Sequence, residues 1–414
     1  MRRRQRHKIP TNPAPAANAA RPIMWRFIFA GLCASLVSIG LARFAYTPLL
    51  PALIQAHWFS TADAVYLGAA NLAGYLIGAV AGRPIADAIS STRALRSMKV
   101  LVTLAFFACA FPVSVAWFFV WRLASGIAGG AIMVLVAAAV LPHVPAERRG
   151  LASGALFLGL GLGIAGSGTL VPLLLHEGLR GAWIGLGVLS ALLTAASWLC
   201  WPAAGPSAAA RKTGTPATTL ACEAGHAIKR LYVQYALMAV GLVAPMVFLV
   251  DFIARGLGAG AHAGASFWIL YGIGAIAGPP VYGMLADRLG ARPAFRALML
   301  VQAIAVAVLA ATSDRALIGL ATVVIGSFPP GIVPLTLKGV HEIVPGDAER
   351  QNHVWSRATT VFAAAQALAG YAYSALFAHS GGDHRLLFAI SAAAIVIGLG
   401  SDFIARREGE PVRS

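Results

Sequence analysis

Gly283-Met284-Leu285-Ala286-Asp287-Arg288-Leu289-Gly290-Ala291-Arg292 forms a tight basic turn between two long apolar runs. A degraded copy, Arg83-Pro84-Ile85-Ala86-Asp87, stands 200 positions earlier, with Arg93 and Arg96 following. Its surroundings repeat as well: Gly74 and Gly78 answer Gly274 and Gly278, Ala94 answers Ala294, and Arg96 answers Arg296. One shared Asp would carry no weight. A run of matches at a single offset, in a chain of 414 residues, means two related halves.

Composition sets the solvent. Hydrophobic residues make up 58% of the chain and charged residues 11%, and the mean hydropathy is +0.75. A soluble globular chain carries about 25% charged residues, so this chain is short of the polar surface that water demands and takes the bilayer as its solvent. The cysteines (Cys33, Cys109, Cys200, Cys222) show no paired spacing, and three lie in apolar runs. They suggest neither a disulfide framework nor a metal site, and no cofactor is expected. The apolar run after the basic start exceeds the h-region of about 7–15 residues of a cleaved leader.

Residues 1–24 read as a disordered basic tail with Arg2, Arg3, Arg4, Arg6 and Lys8. Six apolar runs follow, at 25–54, 64–86, 98–115, 116–141, 151–175 and 182–201. A polar linker covers 202–228, and six more runs lie at 231–252, 263–286, 294–312, 316–341, 357–378 and 386–405. A spanning helix needs about 20 apolar residues, and helices satisfy their own backbone groups in lipid. The expected architecture is all-α and integral to the membrane. Twelve transmembrane helices form two pseudo-symmetric bundles, 25–201 and 229–405, with a short tail at 406–414.

The formal charge of +17 could suggest nucleic acid, but its distribution follows topology. With the N-terminus placed in the cytoplasm, 25 of the 32 Lys and Arg fall on the inner side. Four (Arg180, Arg255, Arg315, Arg385) fall outside, and Arg43, Arg122 and Lys338 stay within helices. That asymmetry is the positive-inside bias, with both termini cytoplasmic. The inner basic residues face anionic lipid headgroups, and no nucleic-acid partner is expected. Small residues recur four apart at Gly74/Gly78/Gly82, Gly126/Gly130, Gly159/Gly163 and Gly274/Gly278, which predicts close helix packing. Gly161–Gly166 matches the dinucleotide fingerprint letter for letter, but it lies inside an apolar helix with no strand before it. No phosphate-cradling loop of the ATPase type occurs.

Two six-helix halves, a long central linker and the Gly283–Arg292 loop resemble the major facilitator superfamily. The copy at Asp87 departs from that motif, with Ala88 for the basic residue and Ser90 for the glycine. Trp121–Gly130 resembles the family's helix-4 motif around an arginine. The glycine-rich fifth run resembles the antiporter motif but lacks its Gly-Pro pair, so antiport is not inferred. Gly40–Pro51 and Tyr66–Leu76 are similar to the first two helices of the bacterial YbfB/YjiJ-type branch. The resemblance implies a monomeric secondary carrier in the bacterial inner membrane that works by alternating access. It also implies that helices 1, 4, 7 and 10 line a central cavity and that Asp87, Gly283, Asp287, Arg288, Gly290 and Arg292 form gating loops.

An ionisable residue inside a span costs at least about 2.5–3.5 kcal/mol on insertion scales and is a functional candidate by default. At 1.5 Å per residue, Arg43 lies roughly 26 Å beyond Arg26, and Arg122 roughly 12 Å inside the outer turn. Both belong to the outer half and are expected to face one cavity. Snorkelling, or bonding to a carbonyl freed by Pro48, is the alternative for Arg43; packing against helix 1, or a hydrogen bond to a neighbouring backbone, is the alternative for Arg122. Lys338 lies near the inner interface, on a run expected to be broken by Pro329, Pro330, Gly331 and Pro334. Asn71, Tyr75 and Tyr235 are further substrate candidates. Tyr46, Gln234, Trp268, Tyr271, Gln302 and Gln366 could complete a pocket.

No Asp or Glu is placed at mid-membrane; Asp251, about 31 Å past Arg230, comes nearest. Two arginines without a counter-charge favour an anion, with geometry suited to carboxylate or phosphate. A coupling proton would travel on the substrate or with Asp251 or His341. No nucleophile–base pair is visible, so no enzyme is expected. The expected function is carriage of a small organic anion. The alternatives are efflux of hydrophobic compounds and, in another class, a non-transporting receptor or scaffold.

Overall fold

The computed structural model describes residues 16–145, 148–202 and 221–407. The first span is α1 (Ala16–Ser35), a π-helical turn (Leu36–Leu41) and α2 (Tyr46–Gln55). The remainder of the first half comprises α3 (Thr61–Ile89), α4 (Ser91–Cys109), α5 (Val115–Val140), α6 (Arg149–Leu175) and α7 (Gly178–Ala196). The second half begins with α8 (Ala221–Asp251), which continues into a π-helical turn (Phe252–Gly256). It goes on through α9 (Gly260–Leu289), α10 (Ala291–Ala311), α11 (Arg315–Ile343), α12 (Ala348–His379) and α13 (His384–Arg407). Twelve helical segments in two sets of six is the architecture, and no strand occurs among the described residues.

Several helix ends, and one expected break, differ from the sequence reading. α1 begins at Ala16, inside the expected tail, because Ala16-Ala17-Asn18-Ala19-Ala20 favours helix. Likewise α8 begins at Ala221, inside the expected linker; linker residues 203–220 and tail residues 1–15 and 408–414 lie outside the described residues. The expected break in α11 is absent: the helix runs unbroken through Pro329, Pro330 and Pro334. Neighbouring helices let a spanning helix tolerate prolines. Oxygen-bearing N-caps start some of the helices, as Ser114 does by accepting the Trp117 N–H at 3.0 Å and Asp314 that of Leu317 at 2.8 Å.

Among the described residues, eleven helical segments are long and apolar enough to cross a membrane. The exception is α4, whose first turns carry Arg93, Arg96 and Lys99. Arg96 and Lys99, with Arg26 of α1, have a structural use at the C-terminal end of α7. Arg96 donates to the Trp198 carbonyl (2.7 Å), Arg26 donates to that of Leu199 (3.1 Å), and buried Lys99 donates to Ser197 Oγ. Cations suit the negative pole of a helix and its orphan carbonyls.

The duplication is visible in the packing. A methyl on Gly74 would overlap the Leu123 carbonyl oxygen, and one on Gly274 that of Val323. Gly78 meets Ile127 where Gly278 meets Ser327, and Gly126 meets Asn71 where Gly326 meets Tyr271. Each pair is its twin moved by 200. Thus α3 lies on α5 and α9 on α11, backbone to backbone, as small residues permit in lipid. The halves meet along α6–α9 and α3–α12. In the α6–α9 seam, Gly161 and Gly168 of one half face the Ile276 and Ile269 amides, and Gly272 faces Ala165.

Candidate functional site

The first span unwinds where its chemistry sits. The π turn ends at Leu41, residues 42–45 form a turn, and α2 carries Pro48 and Pro51 within its first two turns. Local π and broken geometry in a helix is a common mark of a functional segment. Arg43 leaves this turn and crosses to the other half. Its Nη2 donates to Gln366 Oε1 on α12 at 2.8 Å and reaches Met246 Sδ on α8 at 3.4 Å. The guanidinium carbon lies 5.5 Å from the Phe44 ring centre and 5.1 Å from that of Tyr75. Arg43 Nε is shielded from solvent and has no hydrogen-bond partner.

Phe44 continues the aromatic wall to Trp268 (6.1 Å), which stacks on Tyr271 at 4.7 Å. Trp268 donates to Ser167 Oγ across the halves at 3.0 Å, while the buried Tyr271 hydroxyl has no partner. Thr47 Oγ1 donates to the Met246 carbonyl at 2.9 Å, and Tyr66 meets Tyr371 at 5.4 Å.

Arg122 is placed differently. It is 3% exposed, donates to the Ala42 carbonyl at 2.7 Å and lies 4.2 Å over the Tyr46 ring. It borders a void of about 10 Å³ inside the first half, with Val102, Cys109 and Trp183. Arg43 and Arg122 therefore share the unwound turn but point to opposite sides of it. Among the described residues, neither is paired with a carboxylate. Asn71 donates to Ser125 Oγ (2.9 Å) and to the Arg122 carbonyl (3.3 Å), joining α3 to α5. Tyr235 packs on Phe362 at 4.6 Å.

Lys338 lies away from Arg43. It ties α11 to the loop motif, donating to the Ala286 carbonyl at 2.8 Å and Asp287 Oδ1 at 2.7 Å. Glu342 accepts the Ala291 N–H at 3.2 Å. Gly290 takes a φ of +83°, which turns the chain from α9 into α10, while Arg288 and Arg292 are exposed. Asp87 and His341 are exposed at helix ends. A cavity of about 200 Å³ opens beside this loop between Arg230, Gln234, Phe295 and Leu335.

At the opposite end, Asp251 is fully buried where α8 enters its π turn. Arg255 donates to both of its oxygens, and His384 Nε2 lies 2.7 Å from Oδ2. His384 sits among Phe248, Phe252 and Phe377. A cavity of about 450 Å³, walled by Thr61 and Ala62 of one half and Arg255 and His384 of the other, opens here. Sequence reasoning missed His384 as the Asp251 partner. It also ranked Gln366 only among accessory polar residues. The i,i+4 spacing of Asp251 and Arg255 was the available signal.

The family described as "Uncharacterised MFS-type transporter YbfB" matches residues 35–402. The chain belongs to that family of major facilitator transporters. It is a membrane transporter of the major facilitator fold, and the helix count and duplicated halves of this YbfB-family chain agree with that. Among solved structures it is similar to the xylose transporter XylE from E. coli in a partially occluded inward open conformation. The TM-score is 0.71 at 12% identity, over 94% of this chain and 100% of the other. That likeness concerns the fold. No curated protein matches the YbfB-family chain.

Proposed function

We propose that the chain is a secondary active carrier of a small organic anion and that Arg43 holds the anion. One observation carries this reading: a part-buried guanidinium between the halves that, among the described residues, has no carboxylate partner and an unpartnered Nε. A charge inside a span is costly unless it is used, and a carboxylate or phosphate matches the guanidinium edge with two parallel bonds. Arg122 supports the site indirectly, by holding the Ala42 carbonyl in the turn that projects Arg43. Tyr75 flanks the cation.

The halves rock about the central site with no covalent step, and the Asp87 and Asp287–Arg292 loops act in the inner gate. Both termini face the cytoplasm of a bacterial cell, in accord with the charge distribution, and a single chain suffices. Protons are the proposed coupling ion. Asp251 at the outer end and His341 at the inner end are the candidates to carry them.

The aromatic wall of Phe44, Tyr75 and Trp268 favours a second reading, export of hydrophobic compounds. A thermal-shift screen of purified wild type and Arg43→Ala, against carboxylates, phosphate, lipophilic cations and neutral drugs, decides between the two. Stabilisation by an anion that Arg43→Ala abolishes supports the first. Stabilisation only by cations or neutral compounds, equal in both proteins, overturns it.

A further inference from the structure

The contact that Arg43 makes across the halves is itself informative. Gln366 is 4% exposed, belongs to α12 of the second half, and presents its amide oxygen to Nη2 at 2.8 Å. An amide oxygen is shaped like one oxygen of a carboxylate but carries no charge and gives the guanidinium one bond where a carboxylate gives two. The second donor, Nε, is left with nothing. The Arg43–Gln366 bond also links the first span to α12, so it ties one half of the protein to the other.

We propose that Gln366 is a built-in stand-in for the cargo. Its oxygen fills the anion position while the carrier is empty, and an incoming carboxylate displaces it. Displacement does two things at once. It replaces one hydrogen bond to a neutral acceptor with two to a charged one, and it removes a hydrogen bond between the halves at the moment cargo arrives. Loading and release of the halves are thereby coupled through one side chain. The inference rests on the anion reading above and adds a residue and a sequence of events to it.

Two substitutions at this position push in opposite directions. Gln366→Met keeps the length of the side chain but offers no oxygen, so nothing must be displaced. Gln366→Glu keeps the shape but gives Arg43 a permanent carboxylate, which competes with any anion and bonds the halves together. The probes are a series of mono- and dicarboxylates and inorganic phosphate, titrated by thermal shift against full-length purified protein. Arg43→Ala serves as control.

In Gln366→Glu, the half-saturating anion concentration rises by about tenfold or more, the equivalent of one charge-assisted bond. Its melting temperature without ligand exceeds that of the wild type. Gln366→Met binds the same anion more tightly than wild type. If Gln366→Glu binds as wild type does, or if Gln366→Met loses binding to the same extent as Gln366→Glu, the stand-in role is refuted while the anion reading stands. If no anion stabilises either wild type or Gln366→Met, the anion reading fails and this inference fails with it. Should Gln366→Glu not fold, the direction of the Gln366→Met shift decides alone.

Discussion

Ser90 occupies a backbone position that its twin gives to glycine, and exchanging it for glycine should stabilise the protein. Ser90 has φ 84° and ψ 148°; Gly290, at the same place in the second half, has φ 83° and ψ 160°. That region is essentially reserved for glycine, and a residue with a Cβ held there loses about 1–3 kcal/mol. Ser90→Gly removes the strain and keeps the backbone bond to the Ala86 carbonyl, which Gly290 matches with Ala286. Against it stand a weak cap, Ser90 Oγ accepting the Arg93 N–H at 3.4 Å, and the greater freedom of glycine in the unfolded chain. These offset about 0.3 and 0.5–1 kcal/mol. The net gain is about 1 kcal/mol. Taking one six-helix half as the unfolding unit, that raises the melting temperature by about 2–4 °C, measurable by intrinsic fluorescence in detergent. Gly290→Ser should lower it by a similar amount. An unchanged or lower value for Ser90→Gly, with Gly290→Ser neutral, would refute the argument.

Other outcomes follow from the packing and the buried charges. Gly278→Ala drives a methyl into the Ser327 carbonyl, and overpacking of about 1–3 kcal/mol or more should cut the yield of monodisperse protein on size exclusion. Gly283→Ala, where nothing lies in reach, should not. Asp251→Ala strips two donors of their acceptor. Because Arg255 is 27% exposed and can turn to water, the loss sits at or below the low end of the about 3–5 kcal/mol range for broken buried pairs. Adding Arg255→Gln should recover part of it, and strict additivity in that double-mutant cycle would show that the pair is not coupled. A fluorescent reporter fused after residue 414 should light up in the cytoplasm, and darkness at normal expression would reverse the proposed orientation.

Much of the fold was legible because the bilayer leaves few solutions. Charge scarcity, twelve runs and an offset of 200 gave the halves, and the glycines spaced four apart land on partner backbones as expected. The site was legible only in height. Counting residues placed Arg43 and Arg122 at one level, but a helix as evenly apolar as α5 does not reveal which way its one cation turns. The structure points Arg122 into its own half. Pro329, Pro330 and Pro334 looked like a break, yet the helix that unwinds is the first, at a π turn whose sequence, Leu36–Leu41, gives no such warning. The Asp251–His384 contact spans 133 positions, and no local pattern reports a meeting that distant.

The α6–α9 seam bears on how easily the halves can change places. Most protein interfaces move by shuffling interlocked side chains from one set of rotamers to another, and each shuffle is a small barrier. Where Gly161, Gly168 and Gly272 meet the opposing helix, main-chain atoms share the contact with the Ile276 and Ile269 side chains and the Ala165 methyl, so few rotamers need resetting. In the proposed rocking of the halves this seam would turn as a bearing rather than as a set of teeth, and a methyl added there would stiffen that motion.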